Sequence, residues 1–314
     1  MELANKRILV TGGNGFLGKH LVRKLEAKNP KEIIITNSKN DDLRLVSNCQ
    51  KLVKGIDVIF HLAANVGGIG LNRERPADLF FDNIMMGTQL MHEAQNANVE
   101  KFIGLGTICS YPKFTAVPFN EDSIWDGYPE ETNAPYGLAK KMLLVQSQAY
   151  REQHNFNSII VIPTNLYGPD DNYSTISSHV IPALILKIHK AKQSKNNSVV
   201  VWGDGTPTRD FLFVDDAAEG LVLASEKYNE DGPLNLGSSE EISIKQVISD
   251  LSEIMEFDGK VIWDKTKPNG QPRRCVSFKK AQEKIGFKPK YTFKEGLEIM
   301  VKDFMENLDR YTYL

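Results

Sequence analysis

The chain has 314 residues, 41% of them hydrophobic and 25% charged, which is enough apolar material for one large or two modest cores. A formal charge of −2 and an isoelectric point near 6.3 give no electrostatic case for nucleic acid or an anionic membrane as partner, while leaving room for a local basic pocket. Three widely spaced cysteines (Cys49, Cys109, Cys275) make no disulfide framework, no apolar run reaches the length of a membrane span, and MELANKRILV turns to a strand pattern too early for a signal peptide, so a cytoplasmic protein is expected.

The apolar run RILV leads into TGGNGFLG and then KHLVRKLEAK, whose apolar positions recur at helical spacing. Gly13, Gly15 and Gly18 satisfy G-x-G-x-x-G, and Gly12, Gly15 and Gly18 satisfy its G-x-x-G-x-x-G variant. Glycines between a strand and a helix let the backbone turn tightly, approach a pyrophosphate and pack the helix on its strand. The phosphates then meet the helix N-terminus, so the pattern predicts a dinucleotide site. After the next strand, EIIIT, an acidic side chain would mark NAD by bonding the ribose 2′-hydroxyl. Asn37, Ser38 and Lys39 stand there instead and suit a 2′-phosphate, so NADP(H) is the expected cofactor; Asp41 and Asp42 follow closely and weigh the other way.

DVIFHLA, KFIGLGT and SIIVIP read as further strands, separated by stretches long enough for crossover helices, so the expected class is α/β with a doubly wound parallel sheet. The segment from Asp78 to Val99 is apolar around much of its circumference and needs cover on two sides. One cover is the sheet; the other is a second subunit, giving a homodimer, or the rest of the monomer.

In NAPYGLAK, Tyr136 and Lys140 are four residues apart and share a helix face. An ammonium beside the phenol is expected to draw its pKa down from about 10, toward the range in which it exchanges a proton with an alcohol or ketone. Carbonyl reduction requires that exchange. His61 is expected to end a strand near the cofactor, while His20, His92, His154 and His189 sit on helical patterns without a partner motif. None has metal-ligand spacing, and no metal is expected. Asp215 and Asp216 precede an Ala-rich helix and read as capping or first-turn charges.

After PTNLYGPDDN the pattern changes to the helix SSHVIPALILKIHK, the strand VVVW, the loop GDGTPTRDF and C-terminal helices, a smaller mixed α/β substrate domain. The expected division is a cofactor-binding part over 1–168, joined again by about 211–238, and a substrate-binding part over 169–210 and 239–314.

In this order, TGGNGFLG, HLAANVGGIG, GTICSYP, PYGLAK and PTNLYGPDDN resemble the extended short-chain dehydrogenases, the nucleotide-sugar epimerases and dehydratases, over nearly the whole chain. AANVGGI, CSYPK, ETNAPYGLAK, SSHVIPALI, WGDGTPTRDFLFVDD and KPNGQPRR are similar to the GDP-L-fucose synthase branch of that family. The resemblance implies a Rossmann-type NADP-binding fold and an epimerase-reductase that takes a GDP-4-keto-6-deoxy sugar as its small-molecule substrate. It assigns Thr107, Tyr136 and Lys140 as the reductase triad, with Thr107 standing where the branch often has Ser. It assigns Cys109 as the base and His179 as the acid that invert C3 and C5. Around the cofactor it implies Gly12, Asn14, Gly15, Phe16, Leu17, Gly18, Asn37, Ser38, Lys39, Ala63, Lys140, Pro163, Asn165, Leu166 and His179. Around the GDP-sugar it implies Lys187, Trp202, Arg209, Asn269 and Arg273. Lys187 replaces a common Arg and so lacks its planar fork; Asn269 replaces an Asp that would accept from the guanine edge. Arg273 and Arg274 are weighed as pyrophosphate contacts against plain surface charge, with contact preferred for Arg273.

Two other readings stand beside this one. The first is a reductase or epimerase-reductase of another GDP-4-keto sugar, a dideoxyhexose or a heptose. The second is a non-catalytic NADP-binding sensor, against which the intact Cys109, Tyr136, Lys140 and His179 speak.

Overall fold

The computed structural model describes residues 1–174, 178–194, 197–267 and 269–312; Ser177 and Pro268 of the matched strings lie outside them. The chain begins β1 (Arg7–Thr11), α1 (Phe16–Glu26), β2 (Glu32–Ile35), α2 (Val46–Leu52), β3 (Val58–His61), α3 (Ile69–Glu74) and α4 (Pro76–Asn96). It continues with β4 (Lys101–Leu105), α5 (Ala134–His154), β5 (Ser158–Pro163), β6 (Asn165–Tyr167), α6 (Val180–Gln193), β7 (Ser198–Trp202) and β8 (Thr208–Phe213). The last third holds α7 (Val214–Lys227), β9 (Leu234–Leu236), β10 (Glu241–Ser243), α8 (Ile244–Ile254), β11 (Lys260–Asp264), β12 (Arg273–Arg274), α9 (Lys279–Ile285), α10 (Phe293–Glu306) and α11 (Leu308–Thr312).

The expected doubly wound sheet is present, six parallel strands in the order β2-β1-β3-β4-β5-β9. Its strands are apolar on both faces because both are covered. Ile8, Val10, Val58, Phe60, Ile103 and Val161 face a core closed by α1, α7 and α9. Their neighbours Leu9, Ile59, Phe102, Ile160 and Ile162 face the core under α2, α4 and α5. That one-residue alternation fixes the register of every strand. The strand order reverses between β1 and β3, which opens a crevice at the carboxyl ends of the strands.

Buried polar groups lock the layers. Lys101, at the start of β4, donates to the carbonyls of Ser225 at 2.7 Å and Tyr228 at 2.6 Å, where α7 ends. A cation at a helix C-terminus meets the unpaired carbonyls there, and burial pushes the Lys101 ammonium down to about 8. Asp215 and Asp216 do sit in the first turn of α7, yet neither caps it. Asp215 is bonded to His20, whose Nε2 also meets the Pro169 carbonyl at 3.0 Å, so His20 has the partners that its helical pattern did not announce. Asp216 accepts from the backbone of Lys290 and Tyr291 and ties α7 to the start of α10.

A separate core of Tyr167, Ile185, Phe213, Leu251, Leu297 and Phe304 joins α6, α8, α10 and β8. Here β10, β8 and β12 pair, β6 joins β8, and β7 pairs β11. The substrate-side motifs lie on these two small sheets, on α6 and on the loop before β12. α4 matches the expected apolar helix to within a few residues: Leu79, Leu90 and Met91 are buried, while Phe80 and Phe81 remain 40% and 55% exposed.

Candidate active site

The glycine loop connects β1 to α1 at the crevice. Gly12 has a φ of +72°, and a Cβ there would fall 2.9 Å from the Ala63 amide nitrogen. At Gly18 a Cβ would fall 2.1 Å from the Gly12 carbonyl, so α1 can lie against the loop only with glycine at that position. No side chain caps α1 at Gly15 and no acid stands in its first turn, which leaves its positive end open toward the crevice. Asn14 and Gly15 are exposed there, and Leu17 is buried beneath.

At the end of β2, Asn37, Ser38 and Lys39 are exposed. Both neighbouring acids are occupied. Asp41 accepts from the Asn37 amide at 2.9 Å, and Arg44 holds Asp42 below its ordinary carboxylate range. No ion-pair partner of Lys39 is present among the described residues. A cation on a surface whose nearby carboxylates are already paired suits a 2′-phosphate.

Tyr136 and Lys140 rise from the first turns of α5, where Pro135 helps to set the helix start. Gly137 is why this helix reaches the catalytic loop. A Cβ there would fall 2.3 Å from the Cys109 carbonyl, and Ser110 Oγ donates to the Gly137 carbonyl at 2.9 Å. Ser110 and Gly137 were not among the sequence candidates. Thr107, after β4, accepts from the Cys109 amide at 3.2 Å, and its hydroxyl is near enough to Tyr136 to favour the phenolate.

One expectation is reversed. Lys140 does not draw the phenol down: burial raises Tyr136 above its ordinary value, negative charge at Cys109 adds to the rise, and the Thr107 hydroxyl opposes both. Lys140 is 2% exposed, its Nζ has no hydrogen-bond partner among the described residues, and desolvation pushes it down to about 8. A buried ammonium without acceptors is costly, so the position is built for a ligand that supplies them. His61 ends β3 as expected. Its Nδ1 meets Thr11 Oγ1 at 2.8 Å, its Nε2 has no partner among the described residues, and burial with Lys140 nearby keeps it neutral. Ala63 is fixed by its amide donating to the same Thr11 oxygen at 3.2 Å. The glycine cradle, the open helix end and the unpartnered Lys140 together fit a dinucleotide.

Pro163 is buried at the end of β5, and Asn165 spends its side-chain amide on the Asp210 carbonyl at 2.8 Å. Asn165 therefore braces β6 against β8, while Leu166, beside it, packs on the core between the sheet and α7. His179 caps α6 beside Ser178, whose carbonyl lies 3.2 Å from where a Cβ on Gly68 would stand. Its side chain is exposed at the surface, yet desolvation by the protein atoms around it lowers its pKa and favours the neutral imidazole.

On the substrate side, Trp202 is 54% exposed and shares a cleft of about 400 Å³ with Lys187 and Lys190, with Lys267 Nζ 5.6 Å from its ring. Lys187 donates to the Val200 carbonyl at 2.9 Å. Asn269 lines a separate pocket with Lys113, Glu130 and Gln271, and its Oδ1 accepts from the Asp204 amide at 3.0 Å, closing the loop over Gly203. Arg209 donates to the Gln271 carbonyl at 2.7 Å and is pushed down to about 10, mainly by burial.

The two adjacent arginines part company. Arg273 is half exposed and paired with Glu241 at 2.9 Å, whereas Arg274 turns inward and donates to Cys109 Sγ at 3.5 Å. Neighbouring residues of a strand point to opposite faces, so only one of them can reach the sulfur. That alternation was readable in QPRRC; which face was the inner one was not.

Residues 8–237 match the model of the NAD dependent epimerase/dehydratase family. The chain is 37% identical to the GDP-L-fucose synthase of Sinorhizobium fredii, covering 98% of this chain and 98% of that one. It superposes on an NADP-bound GDP-L-fucose synthetase from Naegleria fowleri with a TM-score of 0.88 at 30% identity, over 98% of this chain and 96% of that one. A GDP-6-OMe-4-keto-L-xylo-heptose reductase from C. jejuni shares the fold, with a TM-score of 0.91 at 23% identity over 96% of this chain and 98% of that one. By its family match, its full-length relatives and its sheet, the chain belongs to the NAD dependent epimerase/dehydratase family.

Proposed function

We propose that the protein is an NADP(H)-dependent GDP-L-fucose synthase, converting GDP-4-keto-6-deoxymannose by epimerisation at C3 and C5 and reduction at C4. The observation that carries this reading is the meeting of two chemistries in one cleft: Thr107, Tyr136 and Lys140 beside a glycine cradle, with Cys109 two residues from Thr107. When bound, NADPH supplies hydride to the C4 carbonyl carbon.

The protein's own residues do the rest. Gly12, Gly15 and Gly18 admit the pyrophosphate, Ser38 and Lys39 hold the 2′-phosphate, and Lys140 Nζ donates to the nicotinamide ribose. Tyr136 keeps its proton through neutral pH because its pKa is raised, and is thus the acid that protonates the C4 oxygen. Thr107, close to Tyr136, brings a hydroxyl to the same oxygen. Before reduction, the 4-keto group acidifies C3 and C5 because the carbanion left behind is delocalised as an enolate. Cys109 removes each proton and His179 returns one to the opposite face. Since desolvation favours neutral His179, that ring must take up a proton before it gives one.

Lys187, Trp202, Arg209, Asn269 and Arg273 are proposed to hold the nucleotide diphosphate, Asn269 by shaping the loop. Residues 1–168 with 211–238 form the cofactor-binding part, and 169–210 with 239–314 the substrate part. The placement of β9 in the main sheet supports this division. We propose a homodimer through α4 and α5, supported by exposed Phe80, Phe81 and Val145 on those helices, and a cytoplasmic location. No helix among the described residues is long and apolar enough to cross a membrane.

The test is NADPH oxidation with GDP-4-keto-6-deoxymannose by wild type and Cys109→Ala. Wild type should form GDP-L-fucose. The variant should give an unepimerised sugar or stall before reduction; normal GDP-L-fucose from Cys109→Ala would refute the base assignment.

A further inference from the structure

Cys109 stands partly open in the cleft, on a short 3₁₀ turn held at one end by Thr107. Its sulfur faces the smaller lobe. Arg274 Nη1 lies 3.5 Å from Sγ, and Arg274 is itself fixed, because its Nε donates to Gln271 Oε1 at 2.7 Å. Gln271 is buried and anchored in turn: its amide donates to the Lys113 carbonyl at 3.1 Å, and its own carbonyl accepts from Arg209 at 2.7 Å. One guanidinium thus meets the sulfur directly, and a second, Arg209, is tied to the same Gln271. Buried Arg209 feels the positive charge of Arg274 and the opposite influence of Cys109, so the three groups share one electrostatic neighbourhood. Glu130, which also feels the Arg274 charge, is held by Thr132 at 2.6 Å and Asn133 at 2.7 Å.

We propose that Arg274, oriented by Gln271, is the positioning residue of the epimerisation base: its guanidinium aims Cys109 Sγ and holds the negative charge that the sulfur carries as it takes the substrate proton. The inference rests on the proposed epimerase-reductase reading. In the step itself, Cys109 Sγ binds the proton from C3 or C5, the C–H electron pair passes into the enolate, and a proton returned to carbon restores the ketone. No electrons enter or leave. Tyr136 and Lys140 take no part in that exchange, so Arg274 should matter far more to epimerisation than to hydride transfer.

The experiment compares two readouts in wild type, Arg274→Met, Arg274→Lys and Gln271→Leu, each first checked for NADP(H) binding by fluorescence titration. The first readout is deuterium wash-in at C3 and C5 of GDP-4-keto-6-deoxymannose in D2O without NADPH. The second is NADP-dependent oxidation of saturating GDP-L-fucose, which uses Tyr136 and needs no epimerisation at the moment of hydride transfer. Loss of a hydrogen bond to a charged group corresponds to about a tenfold to hundredfold change, so Arg274→Met should lose about that much wash-in while its oxidation rate changes less than about threefold. Arg274→Lys should recover most of the wash-in, because it restores the charge, and Gln271→Leu should fall between. Equal losses in both readouts, or undiminished wash-in in a variant that binds NADP(H), would overturn the role of Arg274. Absence of wash-in from wild type would overturn the epimerase reading itself, and this inference with it.

Discussion

Lys140 and Cys109 lie on two sides of one cleft, and their surroundings differ in kind. Lys140 sits on α5 against the parallel sheet, 2% exposed, with no acceptor for its ammonium among the described residues. Cys109 is partly open and meets a guanidinium delivered by β12 of the smaller lobe. The first side is built by one lobe and waits for a ligand to complete it. The second is complete within the protein, but only because the two lobes are held together. Reduction should therefore respond to changes in the sheet lobe, and epimerisation to changes at the seam.

The largest expected effect that separates them is Tyr136→Phe. Removing the acid should cut NADPH oxidation by about 10²- to 10⁴-fold, while NADPH binding, followed by fluorescence, stays near wild type. Undiminished turnover would remove Tyr136 from the mechanism.

Gly137→Ala should instead strike both sides at once, since the added Cβ would fall 2.3 Å from the Cys109 carbonyl. Overpacking of this kind costs about 1–3 kcal/mol, to be read as a lower urea midpoint, with reduction and deuterium wash-in falling together. A variant that lost only one of them would show the helix and the catalytic loop to be less tightly coupled than the contact implies.

Lys39→Glu confines its effect to the sheet lobe. It should raise KM for NADPH about tenfold to hundredfold and leave the weaker use of NADH almost unchanged. An equal change for both cofactors would count against a 2′-phosphate contact.

The smallest effect is in the pH profile. Lys140 is pushed down to about 8, so its ammonium is present below that pH and is lost as pH rises through it. Tyr136 moves the other way and keeps its proton over the same range. kcat/KM for NADPH should therefore fall on the alkaline side of about 8, and that limb should vanish in Lys140→Met. A limb that survived the substitution would belong to another group.

The sheet lobe was readable because its signals are local. The strand RILV, the glycines and the helix that follows are contiguous, and Tyr136 and Lys140 share one helix turn. What the sequence did not convey is how deeply they are buried, and burial reversed the direction expected for Tyr136. The seam was less legible. Cys109 and Arg274 are 165 residues apart, and which of two adjacent arginines points inward depends on how β12 pairs with β8. Asn269 was matched by motif, yet its oxygen is committed to the Asp204 amide, a contact between two loops that no spacing announces. His20 and Asp215 are likewise joined only by the packing of α1 on α7.

The most direct measurement incubates the wild-type enzyme with GDP-4-keto-6-deoxymannose and NADPH in D2O and examines the product by NMR. GDP-L-fucose carrying deuterium at C3 and C5, formed with one NADPH oxidised per sugar, is the expected result. A reduced sugar that keeps the manno configuration and carries no deuterium at those carbons would contradict the claim that both chemistries share this cleft.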